Sequence, residues 1–188
     1  MSEPSQRTHR TASILSIGDE LVIGQSLDTN SKWLSSRLTD LGVRVVEHAT
    51  VSDEPDLLRA AFERLVSGVD LVLATGGLGP TADDLTRDVL CDCMDDELVR
   101  DDRQHERLVE LFRRRGRPLE NGNDRQALRP ASAVCMDNDQ GTAPGSRRRS
   151  TMSMCTCSPV PRTRTGRCSS GSSCRVCGPT RSGRSRRA

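Results

Sequence analysis

The chain has 188 residues with 28 basic and 26 acidic side chains, a length suited to one ordinary domain that folds without disulfides. Its charge is unevenly placed: residues 146–188 hold 11 Arg and no Asp, Glu or Lys, so residues 1–145 set 17 basic against 26 acidic side chains. An acidic body is no electrostatic partner for nucleic acid, no apolar run has the length of a membrane span, and MSEPSQRTHRTAS lacks the apolar stretch of a secretory signal, so a cytoplasmic location is expected.

In chain order, ASILSIGDEL opens with the apolar run Ile14, Leu15 and Ile17 and stops at Gly18, which predicts a buried strand ending in a turn. DTNSKWLSSRLTDLG offers Thr29 or Asn30 as N-cap, sets Trp33, Leu34, Leu38 and Leu41 at helical spacing, and closes on Gly42. VRVVEHATV, residues 43–51, reads as a second strand, and DEPDLLRAAFERLVSG, residues 53–68, as a second helix with acidic residues at its start. DLVLAT, residues 70–75, is short and apolar enough for a strand buried on both faces. GGLGPTADD follows, then the helical run LTRDVLCDCM, a helix from about Asp101 to Arg115 with Leu108, Leu111 and Phe112 on one face, a loop with one or two helical turns over RPLENGNDRQALRP, and a short strand SAVCM. Strands alternating with helices in this way predict an α/β fold, a mostly parallel sheet between helical layers, with ligands at the carboxyl ends of the strands.

The informative segment is TGGLGPTADDLT, residues 75–86. A glycine-rich turn between a buried strand and a helix presents backbone N–H groups where the helix dipole also favours an anion, so a phosphate is expected there. Gly77-x-Gly79-x-x-Ala82 formally fits a dinucleotide fingerprint, yet it follows the third strand and no acidic strand end comes some 20 residues later; the Lys of a nucleotide-binding P-loop is missing too. Asp83 and Asp84 stand directly beside this turn. Carboxylates next to a phosphate repel it unless a divalent cation bridges them, which points to Mg²⁺-assisted chemistry; the competing role is simple stabilisation of the first helical turn. Asp19 and Glu20 follow the first strand and Asp53 the second, so all these carboxylates are expected at one rim. Cys91, Cys93 and Cys135 read as single buried thiols, and His9, His48 and His105 share no spacing.

IGDELVIGQSLDTNSKWL, TVSDEPDLL, TGGLGPTADDLTRD, RRRGRP and GTAPG, in that order, closely resemble the amino-terminal domain of the CinA (competence/damage-inducible protein) family, within the MoaB/Mog-like, molybdopterin-binding superfamily. The resemblance implies a three-layer α/β fold over residues 12–145, preceded by a flexible residue 1–11 segment. It implies Asp53 and Asp84 as the catalytic carboxylates and the glycine loop as a phosphate site; with the residue reading above, Asp83 and Asp84 are expected as metal ligands and Gly76, Gly77, Gly79, Thr81, Asp19, Glu20, Asn30 and Thr142 as phosphate or ligand contacts. The implied activity is metal-dependent cleavage of a nucleotide pyrophosphate such as ADP-ribose, with Mg²⁺ or Co²⁺; the alternative is a module that holds a molybdopterin-like ligand or nucleotide without turnover. Expected partners are a nucleotide or pterin and, in a homo-oligomer, further copies of the chain, with no specific nucleic acid and no membrane. Nothing in the chain matches the family's separate carboxyl-terminal deamidase domain.

After GTAPG such domains continue with an aromatic residue, an apolar strand ending near LPG, and a PPxE loop, whereas this chain continues SRRRSTMSMCTCSPVPRT. Read one base out of frame, that stretch is compatible at every position with DDVHVYLLPGPPHE. Residues 146–188 are therefore expected to be a frameshifted, disordered tail that leaves the domain truncated. They contain almost no large apolar residue with which to build a core. Rival readings of the tail are zinc binding by Cys155, Cys157, Cys174 and Cys177, whose CxC pair is not a usual knuckle, and nonspecific phosphate binding by arginine.

Overall fold

Short apolar runs become strands here because helices cover them on both sides. A computed structural model describes residues 10–119, 122–138 and 142–148, and the backbone of residues 153–157. Strand β1 (Thr11–Ile17) is followed by a single helical turn α1 (Asp19–Val22), helix α2 (Thr29–Asp40), strand β2 (Arg44–Val51), helix α3 (Pro55–Val66) and strand β3 (Leu71–Thr75). Helix α4 (Thr86–Cys93), strand β4 (Leu98–Arg100) and helix α5 (Asp102–Arg114) come next. A 3-10 helix (Asn123–Ala127) leads into strands β5 (Leu128–Pro130), β6 (Ala133–Met136), β7 (Gly145–Arg148) and β8 (Ser153–Cys157).

Six strands form one sheet in the order β2-β1-β3-β8-β7-β6, parallel from β2 through β8 and antiparallel at β7 and β6. β4 and β5 make a separate antiparallel pair. Successive side chains of a strand point to opposite faces, and the core splits accordingly. Leu15, Ile17, Val72 and Ala74 pack with Leu58, Phe62 and Leu65 of α3 and Val89 and Leu90 of α4. Ala12, Ile14, Leu71 and Leu73 face Leu34 and Leu38 of α2 on the other side. Every residue of β3 is buried. Truncating a fully enclosed side chain such as Phe62 to Ala costs roughly 3–5 kcal/mol in settings of this kind.

The expected strands and helices through Thr75 are present within one or two residues, and Gly42 closes α2 in the left-handed region at φ 78°. The cap of α2 differs from expectation: Asp28 accepts from Ser31 N–H at 2.9 Å, and Thr29 and Asn30 lie inside the helix. Of the residues at helical spacing on α2, Leu34 and Leu38 are buried and Trp33 is half-buried against them. Leu108 is the enclosed apolar residue of α5, while Leu111 and Phe112 are half-buried. Among the expected thiols Cys91 is buried and Cys93 and Cys135 are partly so; burial first of all pushes Cys91 up to about 11 and Cys135 up to about 12, which keeps them protonated.

The sheet continues past Gly145, where the sequence places the end of the domain: β7 and β8 both join it, and β8 lies between β3 and β7. Strand pairing uses backbone groups, so a polar run can enter a sheet that its side chains do not predict. Of the expected flexible residues 1–11, Thr11 opens β1, while residues 1–9 and tail residues 158–188, with Cys168, Cys174 and Cys177, lie outside the described residues.

Candidate anion-binding site at the sheet rim

The carboxyl ends of β1, β2 and β3 meet at one rim, and Gly18 N–H donates to Val51 O at 3.0 Å to tie the first two together. Beyond that bond Asp19 and Asp53 brace each other reciprocally. Asp19 N–H donates to Asp53 Oδ2 at 3.2 Å and Asp53 N–H to Asp19 Oδ1 at 3.3 Å. Glu20 folds back over Gly18, where a Cβ would come within 2.6 Å of its Oε2. Below the rim, Ser16 donates its hydroxyl to Asp28 Oδ2 at 2.6 Å and Asn30 donates to Thr75 Oγ1 at 3.0 Å, so α2 is pinned to the ends of β1 and β3.

The glycine loop is compact enough to require its glycines. Gly76 has φ 109°, and a Cβ there would sit 2.0 Å from Ile17 O; at Gly79 it would sit 2.4 Å from Asp84 Oδ2. Asp84 accepts from Gly79 N–H at 2.8 Å, from Thr81 N–H at 2.9 Å and from the Thr81 hydroxyl. Thr86, fully buried, donates its hydroxyl to Gly76 O at 2.9 Å. Arg87, 4 % exposed, reaches back under the loop and donates to the carbonyls of Leu78 and Gly79. The turn thus gathers donors around one anion, and in the structure that anion is its own Asp84.

Electrostatics separate the two expected catalytic carboxylates. Burial raises the Asp53 pKa, opposed by the Asp19 N–H and reinforced by the charges of Asp19, Glu20 and Asp84. Burial also works to raise Asp84, but the hydroxyl and two N–H groups it accepts from, with the Arg87 charge, hold it below the ordinary value. Burial pulls Arg87 down to about 10, against the carboxylates of Asp84 and Asp88.

The rim brings together Asp19, Glu20, Asp53, Asp84, Gly76, Gly77, Gly79, Thr81 and Asn30 of the expected set. Thr142 stands just before β7, whose first residue lies at the same rim because β7 runs antiparallel to β8; two strand spacings, about 10 Å, separate β7 from β3. The expected metal pair is not assembled: Asp83 is exposed, and Asp84 turns into the loop with both oxygens engaged. Among the described residues no group of three or more His, Cys, Asp or Glu side chains is gathered for a metal ion. The donors present therefore do not fit a resident cation. Arg87, Thr86, Ser16 and Asp28 belong to the site's frame and were not anticipated; only Asp28 carried a local signal, as the first residue of DTNS, a good cap type.

The family described as probable molybdopterin binding domain matches residues 13–163. A CinA-like protein of Dictyoglomus turgidum is 46% identical over 132 residues, which is 70% of this chain and 32% of that protein. A putative competence-damage inducible protein of Clostridium novyi is 40% identical over 134 residues, 71% of this chain and 32% of that one. The chain thus spans about a third of the length of these curated relatives. Among solved structures, CinA of Thermoplasma acidophilum, described as of unknown function, superposes with a TM-score of 0.73 at 28% identity, covering 81% of this chain and 89% of that one. MoaB of Thermus thermophilus, a molybdopterin biosynthesis enzyme, gives 0.52 at 21% identity with 81% and 82% covered, a likeness of fold. No helix among the described residues is long and apolar enough to cross a membrane.

Proposed function

This chain belongs to the probable molybdopterin binding domain family, with CinA-like proteins among its relatives, and from that premise we propose that it binds a phosphate-bearing nucleotide and hydrolyses its phosphoanhydride, with an ADP-ribose-like substrate. The single observation that carries the reading is the rim itself: a donor-rich glycine loop beside an aspartate whose pKa is raised. A phosphate oxygen would take over the N–H groups that Asp84 now holds, which the loop already gathers for an anion. Asp53, made more basic by burial and three neighbouring carboxylates, is the group to take a proton from the attacking water. Water oxygen bonds to phosphorus, the anhydride P–O bond breaks, and AMP and ribose 5-phosphate are the products. A divalent cation, Mg²⁺ or Co²⁺, would arrive as part of the substrate, on its phosphates, and supply charge neutralisation there. The full chain incubated with ADP-ribose and either cation should release AMP, and Asp53→Asn should lower that rate at least 100-fold, in the range ascribed to general-base catalysis. Tight binding of a pterin phosphate with no AMP release would instead select a molybdopterin-type module without turnover, a reading favoured by the matched family.

A second reading concerns the chain after Gly145. The backbone of Ser153–Cys157 occupies an interior strand of the sheet, beside the wholly buried β3, yet its sequence is SMCTC. Interior parallel strands ordinarily read as apolar runs. Shifted by one base the same five codons allow Val-His-Val-Tyr-Leu, which supports the proposal that a frameshift separates this sequence from the one the sheet was built for. Sequencing the locus tests it. An uninterrupted frame with no related coding stretch one base over would sink the idea.

A further inference from the structure

The proposed ligand has two ends, and the rim accounts for only its phosphates. A cavity of about 520 Å³ lies at the carboxyl end of α5, lined by Phe112, Arg115, Arg117, Pro118 and Asn123, within the range of small-molecule sites. Asn123 of its lining follows Gly122, which packs beside Pro80, the residue after the glycine loop. A Cβ on Gly122 would lie 3.5 Å from Pro80 O, and Arg125, one turn on, pairs at 2.8 Å with Asp88 of α4, the helix that the loop leads into.

We infer that this cavity is the subsite for the ligand's fused heteroaromatic ring, the base of a nucleotide or the bicycle of a pterin, while its phosphate lies at the Gly76–Gly79 loop. The lining fits a flat, nitrogen-rich ring better than a second phosphate. Phe112 and Pro118 offer apolar walls, and the two guanidinium groups can stack on a π-face. Neither Arg115 nor Arg117 has an ion-pair partner among the described residues, in contrast with Arg113 and Arg114 just before them, which both pair with Glu110. A helix C-terminus attracts arginines for electrostatic reasons alone, but that role requires neither an aromatic wall nor an adjoining anion loop.

The inference rests on the loop holding the ligand's phosphate, and the test separates the two. Calorimetric titration of the full chain compares AMP and a pterin monophosphate with ribose 5-phosphate, which has the phosphate and no ring. The wild type should bind at least one ring-bearing ligand roughly tenfold or more tighter than ribose 5-phosphate, the scale of one base stacked on a side chain. Which of the two gains identifies the source of the ring. Arg115→Gln combined with Arg117→Gln, both at exposed positions, should abolish that preference and leave ribose 5-phosphate affinity unchanged; Phe112→Leu, which preserves bulk, should reduce it. Equal affinities in the wild type, or a preference that survives both variants, overturns the ring subsite and leaves the loop reading standing. Failure of all three ligands to bind overturns both.

Discussion

At the scale of residues, Asp53 and Asp84 share one rim and respond to acid in opposite senses. The Asp53 pKa is raised in the folded protein above its ordinary value near 3.8, so the folded state binds the proton more readily than the unfolded one. Its charge opposes folding at neutral pH, and the opposition is relieved as pH falls through the raised value. Asp84 is lowered, so its stabilising contribution is fully present above its ordinary value and disappears as pH falls through the lowered one. Urea unfolding should therefore find Asp53→Asn more stable than the wild type at pH 7, by on the order of 0.5 kcal/mol for partly exposed like charges, with the gain shrinking toward pH 4. A destabilised Asp53→Asn at pH 7 would show that its brace with Asp19 outweighs the repulsion. That both aspartates and the glycines gather at one rim was legible because they follow strand ends. That Asp84 is taken up by Gly79 and Thr81 was not, since it depends on how tightly the loop curls, and a string of residue types does not encode that curl locally.

At the scale of elements, the site is held by a few joints between helices and strand ends. Asp28 serves two at once: it caps α2 through Ser31 N–H and accepts the hydroxyl of Ser16, a wholly buried residue of β1. Asp28→Ala should cost more than an ordinary cap, roughly 2 kcal/mol against a typical 1, because it also leaves a buried hydroxyl without its acceptor. A loss no larger than about 0.5 kcal/mol in denaturant melts would mean that Ser16 finds another partner. β1, β2, β3, α2 and α3 were readable because each carries an apolar run or period of its own. β4 was not: Leu98–Arg100 is three residues long and exists through its pairing with Leu128–Pro130, some thirty positions away. The same holds for β7 and β8, whose GSRR and SMCTC carry no strand pattern and whose partners are remote or read backwards along the sheet.

At the scale of the whole molecule, the frame proposal becomes a statement about stability. Restoring an apolar strand at residues 153–157 would add burial on both faces of the sheet's interior. A frame-restored protein should melt higher than the 188-residue chain by roughly 5 °C or more, given that each kcal/mol is worth about 2–4 °C at this size. Equal melting temperatures by circular dichroism would mean that the present sequence already fills the strand's place adequately.

The sheet order has a temporal side as well. β1, β2 and β3 are contiguous in the chain, and β6 and β7 pair with each other, but the two groups are joined only by β8. During synthesis the first group waits with one margin of β3 unpaired until more than eighty further residues, through Cys157, have emerged from the ribosome. An apolar, unsatisfied margin is a template for wrong partners over that interval. β8, the last of the described strands, is thus the keystone of assembly, and the chain's yield in cells should depend on chaperone supply more strongly than its final contacts alone would suggest.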